Sequence, residues 1–156
     1  KKLVLIDASG YPATAKSEPI AFKLAKVPAL NKVFTYITPK FVVAQSVKNV
    51  YANKDKVTQE LVDRYFDLSL REGNRQAFVD RLGVKMEPNK HESIKTIQQP
   101  TLVIWGAKDE LIPLKIAYKF HEDLPNSTLA ILENVGHVPM EESPQESLKP
   151  VYSFLK

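Results

Sequence analysis

Two apolar, β-prone runs, Leu3–Asp7 and Thr101–Trp105, bracket a long interval whose periodicity is helical throughout. Each run is continuous in apolar residues, as strands buried on both faces of a parallel sheet are, and no alternating hairpin pattern is present. Parallel neighbours need a crossover, and a crossover this long is an insertion rather than a connection. Its segments read as a helix near Pro19–Val27, one opened by Thr38-Pro39 with Val43, Val47 and Val50 on one face, one opened by Thr58 with Leu61, Tyr65 and Leu68, and a shorter one from Asn74 with Ala77, Phe78, Leu82 and Val84. Beyond Trp105 the pattern becomes regular. Pro113 starts a helix with Ala117, Phe120 and Leu124 inward, Thr128–Leu132 is a third strand, and Ser143-Pro144-Gln145-Glu146 is a capping box ahead of Leu148, Val151, Tyr152 and Leu155. The fold class this predicts is α/β: parallel strands with a helical insertion.

Composition narrows the chemistry. The 156 residues include no cysteine, which excludes a thiol nucleophile, disulfides and cysteine-bound metal. The net charge of +4 is spread through every segment instead of gathered into a stripe, so no nucleic-acid partner is expected. No apolar run approaches the roughly 18 residues of a membrane span, and no membrane partner is expected. No His-x-x-x-His pattern calls for a metal, and no cofactor is expected. His91 and His121 read as solvated or helix-end histidines.

Ligands of open α/β sheets sit beyond the carboxyl ends of the strands, and two chemistry-bearing residues fall there. Asp109 follows the second strand in the turn Gly106-Ala107-Lys108-Asp109-Glu110, where backbone N–H groups can hold an ionised carboxylate. His137 follows the third, behind Gly136, which permits a tight turn. A carboxylate on one ring nitrogen fixes the tautomer and leaves the other to take a proton from a nucleophile or water. Glu110 is the runner-up for the acid.

The stretches Pro100–Pro113 and Gly136–Pro144 resemble the acid-bearing loop and the histidine loop of the α/β-hydrolase fold family, in particular its capped group of meta-cleavage product hydrolases, epoxide hydrolases, haloalkane dehalogenases and small esterases. Leu3–Gly10 is similar to the strand after the nucleophile's helix. The resemblance implies the C-terminal part of that fold, with residues 1–12 and 93–156 in the core and residues 13–92 as the cap. It implies catalytic roles for Asp109 and His137, and a small apolar ester or related acyl substrate, with aromatics such as Phe22, Phe34, Tyr36, Phe41, Tyr51, Tyr65, Phe66 and Phe78 packing the cap and one or two of them, with Val138, lining the pocket.

One family feature is missing. No Gly-x-Ser-x-Gly elbow occurs in these residues; Ser9 follows the wrong strand, Ser46 lies within a helix and Ser143 caps one. The expectation is therefore the acid–histidine half of a serine-type hydrolase, inactive without its N-terminal half. That half, or a second chain, would pair with the Leu3–Ile6 edge, which otherwise presents an unpaired apolar strand. Were the elbow residue Asp, the same pair would serve epoxide hydrolase or haloalkane dehalogenase chemistry. A non-catalytic ligand-binding or interaction module on the same scaffold is the alternative.

Overall fold

The computed structural model describes residues 1–12, 15–27, 32, 33, 35–84, 87 and 89–156. Its sheet has the strands β1 (Leu3–Ile6), β2 (Thr101–Gly106) and β3 (Ser127–Leu132) in the order β1-β2-β3. All pairs are parallel, with Ile6 opposite Ile104 and Ile104 opposite Ala130, so the three strands end at one rim. The central strand has no exposed residue, as its uninterrupted apolar run requires. β1 is only partly buried, because it forms an edge of the described sheet.

Alternation along β2 divides the core. Val103 and Trp105 join Tyr11, Ile94, Phe120 and Leu124, while Leu102 and Ile104, equally closed to solvent, point the other way. The first cluster is covered by α5 (Lys115–Asp123), which contributes Ile116, Ala117 and Phe120; it begins two residues later than Pro113 predicts. The Trp105 indole N–H is not stranded in this core, since it donates to the Ile112 carbonyl at 3.0 Å.

Between β1 and β2 lie α1 (Ile20–Ala25), α2 (Lys40–Val50), α3 (Gln59–Leu70) and α4 (Asn74–Gly83), with 3-10 turns at Lys54–Lys56 and Lys90–Thr96. Val42 packs with Ala21, Phe22 and Phe78, and Val47 and Leu61 pack with Tyr51, Val43 and Tyr65. Thr58 caps α3, its hydroxyl accepting from the Leu61 N–H at 3.2 Å. Gly73, at φ 80°, turns the chain from α3 into α4. Phe34 and Ala13, the first residue of the expected cap, lie outside the described residues.

Several local expectations are corrected. The residue ahead of α2 is Pro39, not Thr38, because an extended proline already precedes the first helical residue. The Leu61 face of α3 continues into Val62, and Leu68 is exposed. Val84 follows α4 and is exposed. Ser143 makes no side-chain cap bond: the short helix α6 (Pro139–Glu142) runs directly into α7 (Pro144–Leu155) and leaves Ser143 at φ −146°, ψ 65°. Ser147, not the apolar stripe, is the buried residue of α7; Leu148, Tyr152 and Leu155 are exposed. Among the described residues no helix is long and apolar enough to cross a membrane.

Candidate active site

The rim is assembled by close backbone approach. Ala107 donates to the Leu132 carbonyl and Lys108 to that of Val135, tying the loop after β2 to the loop after β3. A Cβ at Gly106 would stand 2.0 Å from the Gly136 carbonyl oxygen, so only glycine permits the two loops to meet. Gly136 is equally confined, by the Val50 carbonyl at 2.5 Å and the Ala52 nitrogen at 2.7 Å.

That approach delivers Asp109 to His137. Asp109 Oδ2 lies 2.8 Å from His137 Nδ1, with the carboxylate side chain fully buried and the imidazole 22% exposed. The other oxygen, Oδ1, accepts from the Leu111 N–H at 2.8 Å and the Ile112 N–H at 2.9 Å. Three hydrogen bonds therefore satisfy a buried carboxylate and fix its orientation. An ionised carboxylate can only accept, so Nδ1 carries the proton and Nε2 is the basic nitrogen. Glu110 takes no part: it is exposed, and its carbonyl accepts from Lys16 and Ser17. His121 meets Ser127, and His91 stands beside Tyr11, both away from the pair. Ser46 donates to the Val42 carbonyl within its own helix, and Ser9 is exposed.

Sequence reasoning overlooked two features. The first is Asp7, which ends β1 at the same rim. It is buried, sits at φ 41°, and accepts at Oδ1 from the Gly106 N–H at 2.9 Å. Carboxylate oxygens of Asp7 and Asp109 and a ring nitrogen of His137 all lie within 4.8 Å of one another. Among the described residues this is the cluster whose side chains could hold a metal ion. Its atoms are, however, largely committed to hydrogen bonds, so it reads as a network of proton donors and acceptors and not as an open coordination shell. Its signal was an acid at the end of a buried strand, the same signal that marked Asp109.

The second is the Glu141-Glu142 pair, which joins the histidine loop to the insertion. Buried Glu142 accepts at Oε2 from Gly136 N–H (2.7 Å) and Ala52 N–H (3.1 Å), and at Oε1 from Asn53 N–H (2.7 Å). Glu141 accepts from the hydroxyls of Tyr51 and Tyr65, both at 2.9 Å. Burial and this carboxylate push both phenols up, that of Tyr65 to about 12. The His137 N–H itself donates to the Val50 carbonyl at 2.8 Å. Val138 packs against the Val47, Tyr51 and Leu61 cluster. The end of α2 thus braces the histidine loop. Farther into the insertion, α1 to α4 line an open pocket of about 540 Å³ with Phe22, Val43, Val47, Tyr65 and Phe78 among its walls.

A carboxylate–imidazole pair at the carboxyl rim of a parallel sheet is the arrangement of the hydrolases built on this architecture, and a model of the alpha/beta hydrolase fold matches residues 21–144. The chain belongs to the alpha/beta hydrolase fold family. It is 30% identical over 99% of its length to an uncharacterized hydrolase of Bacillus subtilis, YugF, covering 56% of that protein. Over 64% of its length it is 29% identical to a monoacylglycerol lipase of Rattus norvegicus, ABHD6, covering 30% of it. A meta-cleavage product hydrolase of Pseudomonas fluorescens superposes with a TM-score of 0.74 at 21% identity, with 99% of this chain and 55% of that one aligned. The chain therefore spans about half or less of the relatives it matches, and these relatives are hydrolases.

Proposed function

We propose that Asp109 and His137 are the acid and base of a capped serine-type hydrolase that acts on small apolar esters or related acyl substrates. The observation that carries this reading is the 2.8 Å contact between His137 Nδ1 and a buried, twice-braced Asp109 carboxylate. In this reading His137 Nε2 takes the proton of a nucleophile supplied from outside these residues and returns it to the leaving group. The nucleophile's ester to the substrate is then hydrolysed by a water that His137 deprotonates, while Asp109 holds the ring and stabilises the imidazolium. The segment carrying the nucleophile pairs with the free edge of β1, whose side chains are only half-buried. Residues 13–92 act as the cap, and the cavity beside Phe22, Tyr65 and Phe78 receives the apolar part of the substrate. Bonds from Glu141, Glu142 and the His137 backbone to α2, α3 and the Tyr51–Asn53 segment support this, because they couple the cap to the base.

The test is turnover of a short-chain nitrophenyl ester by the intact enzyme. His137→Ala is expected to lower kcat by at least about 10³-fold, as removal of a triad member does. Turnover near that of the unmodified enzyme would refute the assignment.

A further inference from the structure

Asp7 has no place in an acid–base pair of the ordinary kind, yet it is buried in the same cluster. Its Oδ1 is committed to the Gly106 N–H, and its Oδ2 is closed to solvent and accepts from no donor, with the Asp109 carboxylate beside it. The ionisable groups facing it are Asp109, from the loop after β2, and His137, from the loop after β3. Among the described residues no Lys or Arg pairs with Asp7 or Asp109. Two carboxyl groups this close in a desolvated rim do not both carry charge at neutral pH. The choice between them is set by their partners. Asp109 accepts three hydrogen bonds, which favour its charged form, while Asp7 accepts one.

We propose that Asp7 is a positioning residue of this site, a neutral carboxylic acid whose Oδ2–H is directed at the Asp109 carboxylate and holds it against His137. The inference deepens the acid–base reading above and rests on it for its catalytic consequence, but not for the proton itself. Burial pushes the Asp7 carboxyl up to about 8; the Gly106 N–H pulls the other way, and the Asp109 charge adds to the rise. Below that range Asp7 draws on the Asp109 charge and tempers the basicity of His137. Above it a second carboxylate stands behind the ring and favours the imidazolium. The backbone agrees with such a role. At φ 41° aspartate and asparagine are among the few non-glycine residues at ease, so Asp7→Asn keeps both the conformation and a side-chain donor.

The measurement is the ring ¹⁵N titration of His137 in the intact protein, for wild type, Asp7→Asn and Asp7→Ala. The wild type is expected to show, besides the histidine's own transition, a second inflection between about pH 7 and 9. Asp7→Asn abolishes that inflection. Asp7→Ala also abolishes it, and lowers kcat for the ester by about 10-fold or more with little change in KM, most of which Asp7→Asn restores. A single inflection in wild type, superimposable on that of Asp7→Asn, would overturn the proposal even if His137→Ala proves inactive. So would an Asp7→Ala enzyme with unaltered kcat. Should Asp7→Ala fail to fold, the comparison of wild type with Asp7→Asn still decides. An enzyme in which His137→Ala stays active but the second inflection is present would refute the acid–base reading and keep the shared proton.

Discussion

Replacing Glu142 by alanine removes a buried carboxylate from three N–H donors at once, and the structure allows the cost to be worked out donor by donor. Hydrogen bonds to a charged acceptor contribute about 1.5–3 kcal/mol each, and a buried donor left without a partner costs its desolvation. The Gly136 N–H is buried and has no other outlet, so about 2–3 kcal/mol is lost there. The Ala52 and Asn53 N–H groups are only part-buried, and water can replace part of what they lose, which leaves about 1 kcal/mol each. Glu142→Ala is thus expected to destabilise by about 4 kcal/mol, a fall of roughly 10 °C in Tm for a domain of this size. Glu142→Gln separates geometry from charge. Its amide oxygen can serve Gly136 and Ala52, but its NH₂ then faces the Asn53 N–H, and about 2 kcal/mol is expected to be lost. Glu141→Gln is the control: the residue is exposed and its tyrosine partners can donate to an amide, so a change below about 1 kcal/mol is expected. Urea unfolding with a constant m-value measures all three. Glu142→Ala within about 1 kcal/mol of wild type would refute the idea that this carboxylate clamps the histidine loop to the insertion.

Three further outcomes follow from local geometry. Gly106→Ala drives a Cβ into the Gly136 and Val135 carbonyls and should cost about 3 kcal/mol or abolish soluble expression, while Gly83→Ala, with nothing within 4 Å, should be neutral; thermal melts compare them. Thr58→Ala removes the α3 cap and should lower stability by about 1 kcal/mol in the same assay. For Asp7 the sign is worked from the raised carboxyl: the folded state holds its proton up to about pH 8, the unfolded chain only to 3.8, so wild type loses stability as pH rises between these limits. Asp7→Asn lacks this penalty, and its stability relative to wild type should climb by up to about 1.4 kcal/mol per pH unit across that window and level off above it. A difference that is flat with pH would contradict a protonated Asp7.

The strands, their order along the chain and the Asp109–His137 pair were legible because each has a local signature: an uninterrupted apolar run, a glycine turn, an acid or imidazole just past a strand end. What was not legible depends on partners distant in sequence. Asp7 carries the same signature as Asp109, but its meaning appears only when the parallel register brings β1 beside β2 and lays its carboxyl on the Gly106 N–H. Nothing in the sequence near Glu141 and Glu142 announces that their carboxylates face Tyr51, Ala52 and Asn53. The apolar positions of α7 show the converse. Helical spacing marks a face suited to burial without saying what covers it, and here Ser147 is buried while Leu148 and Tyr152 are exposed.

The overlooked acids share a cause, and it bears on how the site works. What each carboxyl group does is decided by how many donors the fold brings to it. Asp109, with three, is suited to charge; Glu142, with three backbone N–H groups, becomes a clamp; Asp7, with one, keeps a proton. The same functional group thus acts as ion, tether and acid beside one backbone junction, Gly106 against Gly136. The glycines bear on all three: Gly106 gives its N–H to Asp7, Gly136 gives its N–H to Glu142, and a side chain at either position would part the two loops that bring His137 to Asp109. The chemistry of this rim is therefore set less by which acids are present than by the backbone amides the two glycines allow to converge on them.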